Sequence, residues 1–196
     1  DRVAVVAAVV LVLVLRRAML TPSVKSSFVN VHWREAIRRT AVGIAVTGGA
    51  ALSALVLAVT KGEVLTWSDH SALYYLGKVF KVVPAALLIA SFEEIFFRVL
   101  VFGSLLARLS FLPAVLLTSA LYSVVHFLKP LKSFVMHEFS ALAGVDYTLQ
   151  LFGHIIVPAN IPALFGLLLA GTVLCVVFAR TRSLSLCVGL HAGWIL

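Results

Sequence analysis

Charge is scarce in this sequence. Lys, Arg, Asp and Glu make up 12% of its 196 residues, and 62% are hydrophobic; a soluble domain carries about a quarter charged residues. A core of this size cannot hide that much apolar surface. A water-soluble globule is excluded, and one integral-membrane domain over residues 1–196 is expected, an all-α polytopic transmembrane bundle. Acid is scarcer than base, with eight Asp and Glu against sixteen Lys and Arg, a net charge of +8. The excess does not describe a nucleic-acid surface, because the basic residues stand at the ends of apolar runs and not in a stripe interleaved with aromatics. Cysteine is nearly absent: Cys175 and Cys187 lie inside apolar segments without CxxC spacing and read as small buried hydrophobes. Other absences narrow the chemistry. No serine sits in GxSxG, Asp69 and Asp146 fall in polar stretches and make no transmembrane pair, and His137-Glu138 begins like HExxH but meets Ala141 at the second histidine. No internal repeat is visible, which counts against a transporter built from repeated halves.

What is present is a series of apolar runs. A spanning helix needs about 20 apolar residues, and Ala41–Thr60 has no charge at all. Gly49 and Ser53 give that run a small-xxx-small face for close helix contact. Val79–Leu109 is interrupted by Glu93, Glu94 and Arg98, and Leu109–Leu128 follows with Pro113 near its start. Asn160-Ile161-Pro162 reads as a cap and first turn leading to Ala179, and Ser183–Leu196 begins another helix. With Val3–Leu15, a short or truncated span, about six helices are expected, in a chain that looks clipped at both ends. Of the polar stretches, Arg16–Arg39 contains an amphipathic piece, His32–Arg39, expected to lie on the membrane surface. Lys129–Gly153 reads as a loop with an interfacial helix. Alternating helices place Arg16, Arg17, Lys25, Arg34, Arg38, Arg39, Arg108, Arg180 and Arg182 on one side, and Lys61, Lys78, Lys81, Lys129 and Lys132 on the other; the larger set is expected to be cytoplasmic.

The stretch "SFEEIFFR", residues 91–98, sits amid these apolar runs. An ionisable side chain at the centre of a membrane helix costs about 2.5–3.5 kcal/mol, so these charges face the bundle interior or a wet cavity. Glu94 and Arg98 are i, i+4 with the glutamate on the favoured N-terminal side and are expected to pair. Glu93 points about 100° away from Glu94, and its own i+4 neighbour is Phe97. It is the candidate acid or base. Two further helices each bring a histidine. His126 lies in "YSVVH", where Tyr122 shares its face and is placed to orient the ring. His191 lies in "GLHAGW", between Gly189 and Gly193, which permit close backbone approach. A glutamate near a histidine can deprotonate a water, and a second histidine can donate to a developing oxyanion, the equipment for amide hydrolysis. Glu93, His126 and His191 also match a catalytic zinc site with an open position. The residues admit both.

Glu93-Glu94-Ile95-Phe96-Phe97-Arg98 resembles the EExxxR motif of the CPBP (CAAX-processing/bacteriocin-immunity, or Abi) intramembrane proteases, with Val99 where many members have glycine. Tyr122–His126 resembles their FxxxH, with tyrosine for phenylalanine. His191 resembles the histidine of their HxxxN, and Arg180–Trp194 is similar to its usual surroundings. The motifs come in family order on separate runs, and the resemblance covers about residues 82–196. It implies an intramembrane endopeptidase acting on a membrane-associated protein or peptide, CAAX-type prenylated proteins among them, in the lipid bilayer of a bacterial cytoplasmic membrane. Glu93 would activate water with His126 assisting, His191 would stabilise the oxyanion, and Glu94 and Arg98 would position them. One departure bears on activity: Ile195 stands where the motif has asparagine, and loss of an oxyanion donor costs about 10²- to 10³-fold in rate. The rival expectation is a non-catalytic membrane scaffold or immunity protein of the same fold.

Overall fold

The computed structural model describes residues 32–62, 71–128 and 157–196, together with Leu149. Among them every regular element is helical. Helix α1 is Trp33–Thr60, 28 residues. Its first turns are held from within, because Glu35 receives hydrogen bonds from Arg38 Nε (2.8 Å) and Arg39 Nε (2.6 Å). No glycine or proline separates Arg39 from the apolar run. The stretch expected at the membrane surface, His32–Arg39, is therefore continuous with the apolar helix, His32 serving as its N-cap. Its exposed Trp33, with the Arg34 guanidinium 5.3 Å from the ring centroid, has the composition of an interfacial anchor.

Helix α2 is Ala72–Glu94, beginning well before Val79 because Ser71 caps it by accepting from the Tyr74 N–H. It runs through Pro84 and passes directly into a π-helical segment, Ile95–Phe102, closed by an α-helical turn at Gly103–Leu106. The widened segment buries Phe97, Arg98, Val99 and Leu100 in succession, and Phe102 after them. Helix α3 is Phe111–His126 with Ser110 at its N-cap, so the chain breaks at Ser110 and not at Leu109. A 3₁₀ turn, Pro158–Asn160, leads into α4, Ile161–Thr181. Arg182, in the left-handed region at φ 51, turns the chain, and Ser183 caps α5, Leu184–Ile195, by accepting from the Leu186 N–H at 3.2 Å. Five principal helices are thus described. The sixth expected helix, Val3–Leu15, lies outside the described residues, as do Asp69, His137, Glu138, Asp146 and nearly all of the Lys129–Gly153 stretch. Two helical stretches are long and apolar enough to cross a membrane, Trp33–Thr60 and Pro158–Thr181; Phe111–His126 and Leu184–Ile195 are apolar but shorter.

The described chain groups into two compact units, one from the residues up to Ser104 with Val177–Leu196, the other Leu105–Val176. In the first, α1 and α5 run parallel. Thr40 Oγ1 donates to the Ser185 carbonyl at 3.1 Å, Gly43 lies against Gly189 and Leu190, and Ile44 and Thr47 lie against Gly193. This order puts Arg34, Arg38 and Arg39 at the same end as Arg180 and Arg182, as alternating helices required. Among the described residues the close contact is made at Gly43, not at Gly49, where none lies within 4 Å of the position a Cβ would take. On α2 and α5, Ala86, Ala90, Val188 and Ala192 form a small apolar cluster. In the second unit α3 and α4 are antiparallel: Ser123 Oγ donates to the Leu164 carbonyl at 2.7 Å, and Thr172 Oγ1 lies 3.2 Å from Ser119 Oγ.

Candidate active site

Each charged side chain of α2 meets a different fate. Glu94 and Arg98 are fully buried, with Arg98 Nε 2.9 Å from Glu94 Oε2. The spacing i, i+4 carries the pair across the junction from α-helix to π-helix. Each of these ions would be costly to bury alone, and in hydrogen-bonding contact they offset one another. Glu94 does a second thing that helix geometry did not disclose. Its Oε1 lies 2.9 Å from Nδ1 of His191, 97 positions further along the chain. A carboxylate is acceptor-only when ionised, so the Nδ1–H donates and the ring tautomer is set. That leaves Nε2 as the working nitrogen of His191, and it lies 3.7 Å from Oε2 of Glu93. Arg98, Glu94, the His191 ring and Glu93 therefore form a chain that is buried except at its last member; the Glu93 side chain is 30% exposed although its Oε2 is buried, whereas Glu94 and Arg98 are at 0% and His191 at 5%.

His126 and Tyr122 belong to the second unit. His126 Nδ1 lies 2.7 Å from the Tyr122 carbonyl oxygen, one helical turn back. A carbonyl only accepts, so Nδ1–H donates here too and the Nε2 lone pair is presented elsewhere. The expected orientation of His126 by Tyr122 is thus present, but through the backbone; the two rings are in tilted contact, 4.4 Å between centroids. Tyr122 itself is buried.

Of the residues singled out from the sequence, Glu93, Glu94, Arg98 and His191 converge in the first unit. Tyr122 and His126 form their own arrangement in the second. Ile195, at the end of α5, is 40% exposed. Among the described residues no group of three or more His, Cys, Asp or Glu side chains is arranged to hold a metal ion. What the motifs did not disclose is the α1 stripe beneath His191, Thr40, Gly43 and Thr47. Its four-residue spacing from Gly43 to Thr47 was as legible as that of Gly49 and Ser53, but only the partner helix distinguishes the two.

Comparison with family models matches residues 75–196, more than half of the chain, to the family described as type II CAAX prenyl endopeptidase Rce1-like. The chain belongs to this family. Comparisons with curated proteins and with solved structures returned no match. The match contains Glu93, Glu94, Arg98, Tyr122, His126 and His191, and it begins after α1. Membership makes the chain a relative of CAAX-type membrane proteases, and its long apolar helices fit a membrane bundle.

Proposed function

We propose that this protein is an intramembrane endopeptidase that cleaves a peptide bond of a membrane-associated, CAAX-type prenylated protein or peptide, in a bacterial cytoplasmic membrane. The observation that carries the reading is the division of labour between adjacent glutamates. Glu94 is committed to Arg98 and to His191 Nδ1, while Glu93 is partly exposed and faces His191 Nε2.

In this reading the Glu93 carboxylate takes a proton from water, and the hydroxide adds to the scissile carbonyl carbon. His191, its Nδ1–H held by Glu94, turns Nε2 toward the oxyanion and helps stabilise it. Collapse of the intermediate breaks the C–N bond, and the amine leaves with the proton held on Glu93. The part given to His126, assisting the water through Nε2, rests on its motif. Glu94 and Arg98 act as positioning residues, and Tyr122 holds His126. Zinc is the other activator the sequence admits and would need Glu93, His126 and His191 to hold it, but among the described residues no such group is arranged to hold a metal ion; metal content of the purified protein, wild type against His191→Gln, tests it.

The second reading, a non-catalytic scaffold or immunity protein, is favoured by Ile195, whose side chain can donate nothing where the family motif has an amide. Terminal-peptide proteomics on host membranes, comparing wild type with Glu93→Gln at matched expression, decides. New protein termini that depend on Glu93 are expected; identical termini with both proteins folded and present would sink the peptidase reading.

A further inference from the structure

His191 is held from the front by Glu94, but nothing yet described fixes how deep it sits. Helix α5 presents two opposed faces. Gly189 and Gly193, i and i+4, lie on one; His191, two positions from each, projects about 200° around the helix from them, toward Glu94. The glycine face lies on α1 with no space to spare. A Cβ on Gly43 would stand 2.5 Å from the Leu190 nitrogen and 2.8 Å from Gly189 Cα. A Cβ on Gly189 would run into the Thr40 carbonyl oxygen. One on Gly193 would run into Thr47 Oγ1 and lie 3.2 Å from Ile44 Cα. Most of these neighbours are backbone atoms. Thr47 is not free to swing away either, because its hydroxyl lies 3.1 Å from both the Gly43 and the Ile44 carbonyls of its own helix. Relief at any of these points requires α5 to move, and the residue between Gly189 and Gly193 moves with it.

We propose that α1 is the backstop of the active site: the stripe Thr40, Gly43, Ile44 and Thr47 sets the depth at which α5 seats, and thereby the distance of the His191 ring from Glu93 and Glu94. These are positioning residues on a helix that supplies no reacting group and that precedes the residues matched to the family. The consequence for turnover rests on the peptidase reading above; the consequence for the His191–Glu94 hydrogen bond does not.

The test is a size exchange across the contact, read in two ways on the full chain in lipid nanodiscs. The first readout is the ¹⁵N and ¹H resonance of His191 Nδ1–H in ¹⁵N-histidine-labelled protein, assigned by its loss in His191→Gln. The second is kcat and KM for a farnesylated peptide ending in a CAAX sequence. Gly43→Ala and Gly193→Ala are expected to shift or broaden the resonance and to lower kcat about 10- to 100-fold, since a misplacement of about 1 Å can cost 10²-fold, with little change in KM. Gly49→Ala, on the same helix but with no neighbour at its Cβ position among the described residues, leaves both unchanged. Adding Thr47→Gly to Gly193→Ala removes the obstructing side chain and restores the resonance and most of the turnover. A wild-type resonance in Gly193→Ala, or a double variant no nearer to wild type than the single one, overturns the proposal. If neither alanine variant accumulates in membranes, Thr47→Gly alone opens the seat from the α1 side, and an unchanged His191 resonance in that variant overturns it equally. A resonance that responds as expected in a protein that never cleaves the peptide would instead retire the peptidase reading and leave the backstop standing.

Discussion

The two histidines are fixed by the same atom and by opposite means. Both donate through Nδ1, His191 to a carboxylate on another helix and His126 to a carbonyl on its own. The first arrangement is long-range and made of side chains: Arg98 holds Glu94, Glu94 holds the ring, and α1 sets the seat. The second is local and made of backbone, requiring only that α3 stay helical through its last turn. A ring held by a relay of side chains is adjustable by substitution at any link. A ring held by its own backbone is hard to disturb without unfolding the helix. The difference teaches which ring is open to adjustment from a distance: His191, in the first unit.

Breaking the relay at its buried end should have the largest effect. Arg98→Met leaves the Glu94 carboxylate buried without its cation, and removal of one partner of a buried pair costs about 3–5 kcal/mol. Unfolding in detergent, followed by tryptophan fluorescence, should register a loss of that size, and a change within error would show that the ion pair contributes nothing to the fold. A middle-sized effect is expected in the second unit. A Cβ on Gly171 would lie 3.1 Å from Ser119 Cα and 3.3 Å from Tyr122 Cδ1, so Gly171→Ala overpacks α3 against α4 at a cost of about 1–3 kcal/mol. The same unfolding measurement checks it, and stabilisation would mean that α3 yields without cost. The smallest effect sharpens the contrast. Tyr122→Phe keeps the carbonyl that holds His126, so the His126 Nδ1–H resonance should stay where it is in the wild type. A shifted resonance would mean that the phenol, and not the backbone, orients the ring.

Much of this was legible before any coordinates. The Glu94–Arg98 pair followed from i, i+4 spacing in an apolar run, because helical geometry is local and an isolated charge there is too costly to leave alone. Ser183 and the Asn160–Pro162 turn announced helix starts for the same local reason. Less legible was the extent of α1, since a basic stretch reads as a surface piece until Glu35 is found tying Arg38 and Arg39 into the helix. The π-helical segment had no signal in the pattern at all. Gly49 with Ser53 and Gly43 with Thr47 show the limit most plainly. Both are small-residue pairs at one-turn spacing on a single helix, and among the described residues only one of them meets a neighbouring helix.

Composition, the spacing of charges and the order of the motifs sufficed to assign a helical membrane protein of a CAAX-protease family and to name its ionisable residues. Those properties depend on solvation and on geometry within a few turns, which the chain carries wherever it goes. That Glu94 serves His191 as well as Arg98, and that α5 rests on α1, were decided by which helices came to lie side by side. Contact between residues distant in the chain depends on the summed packing of every helix face, and no stretch of sequence contains that sum.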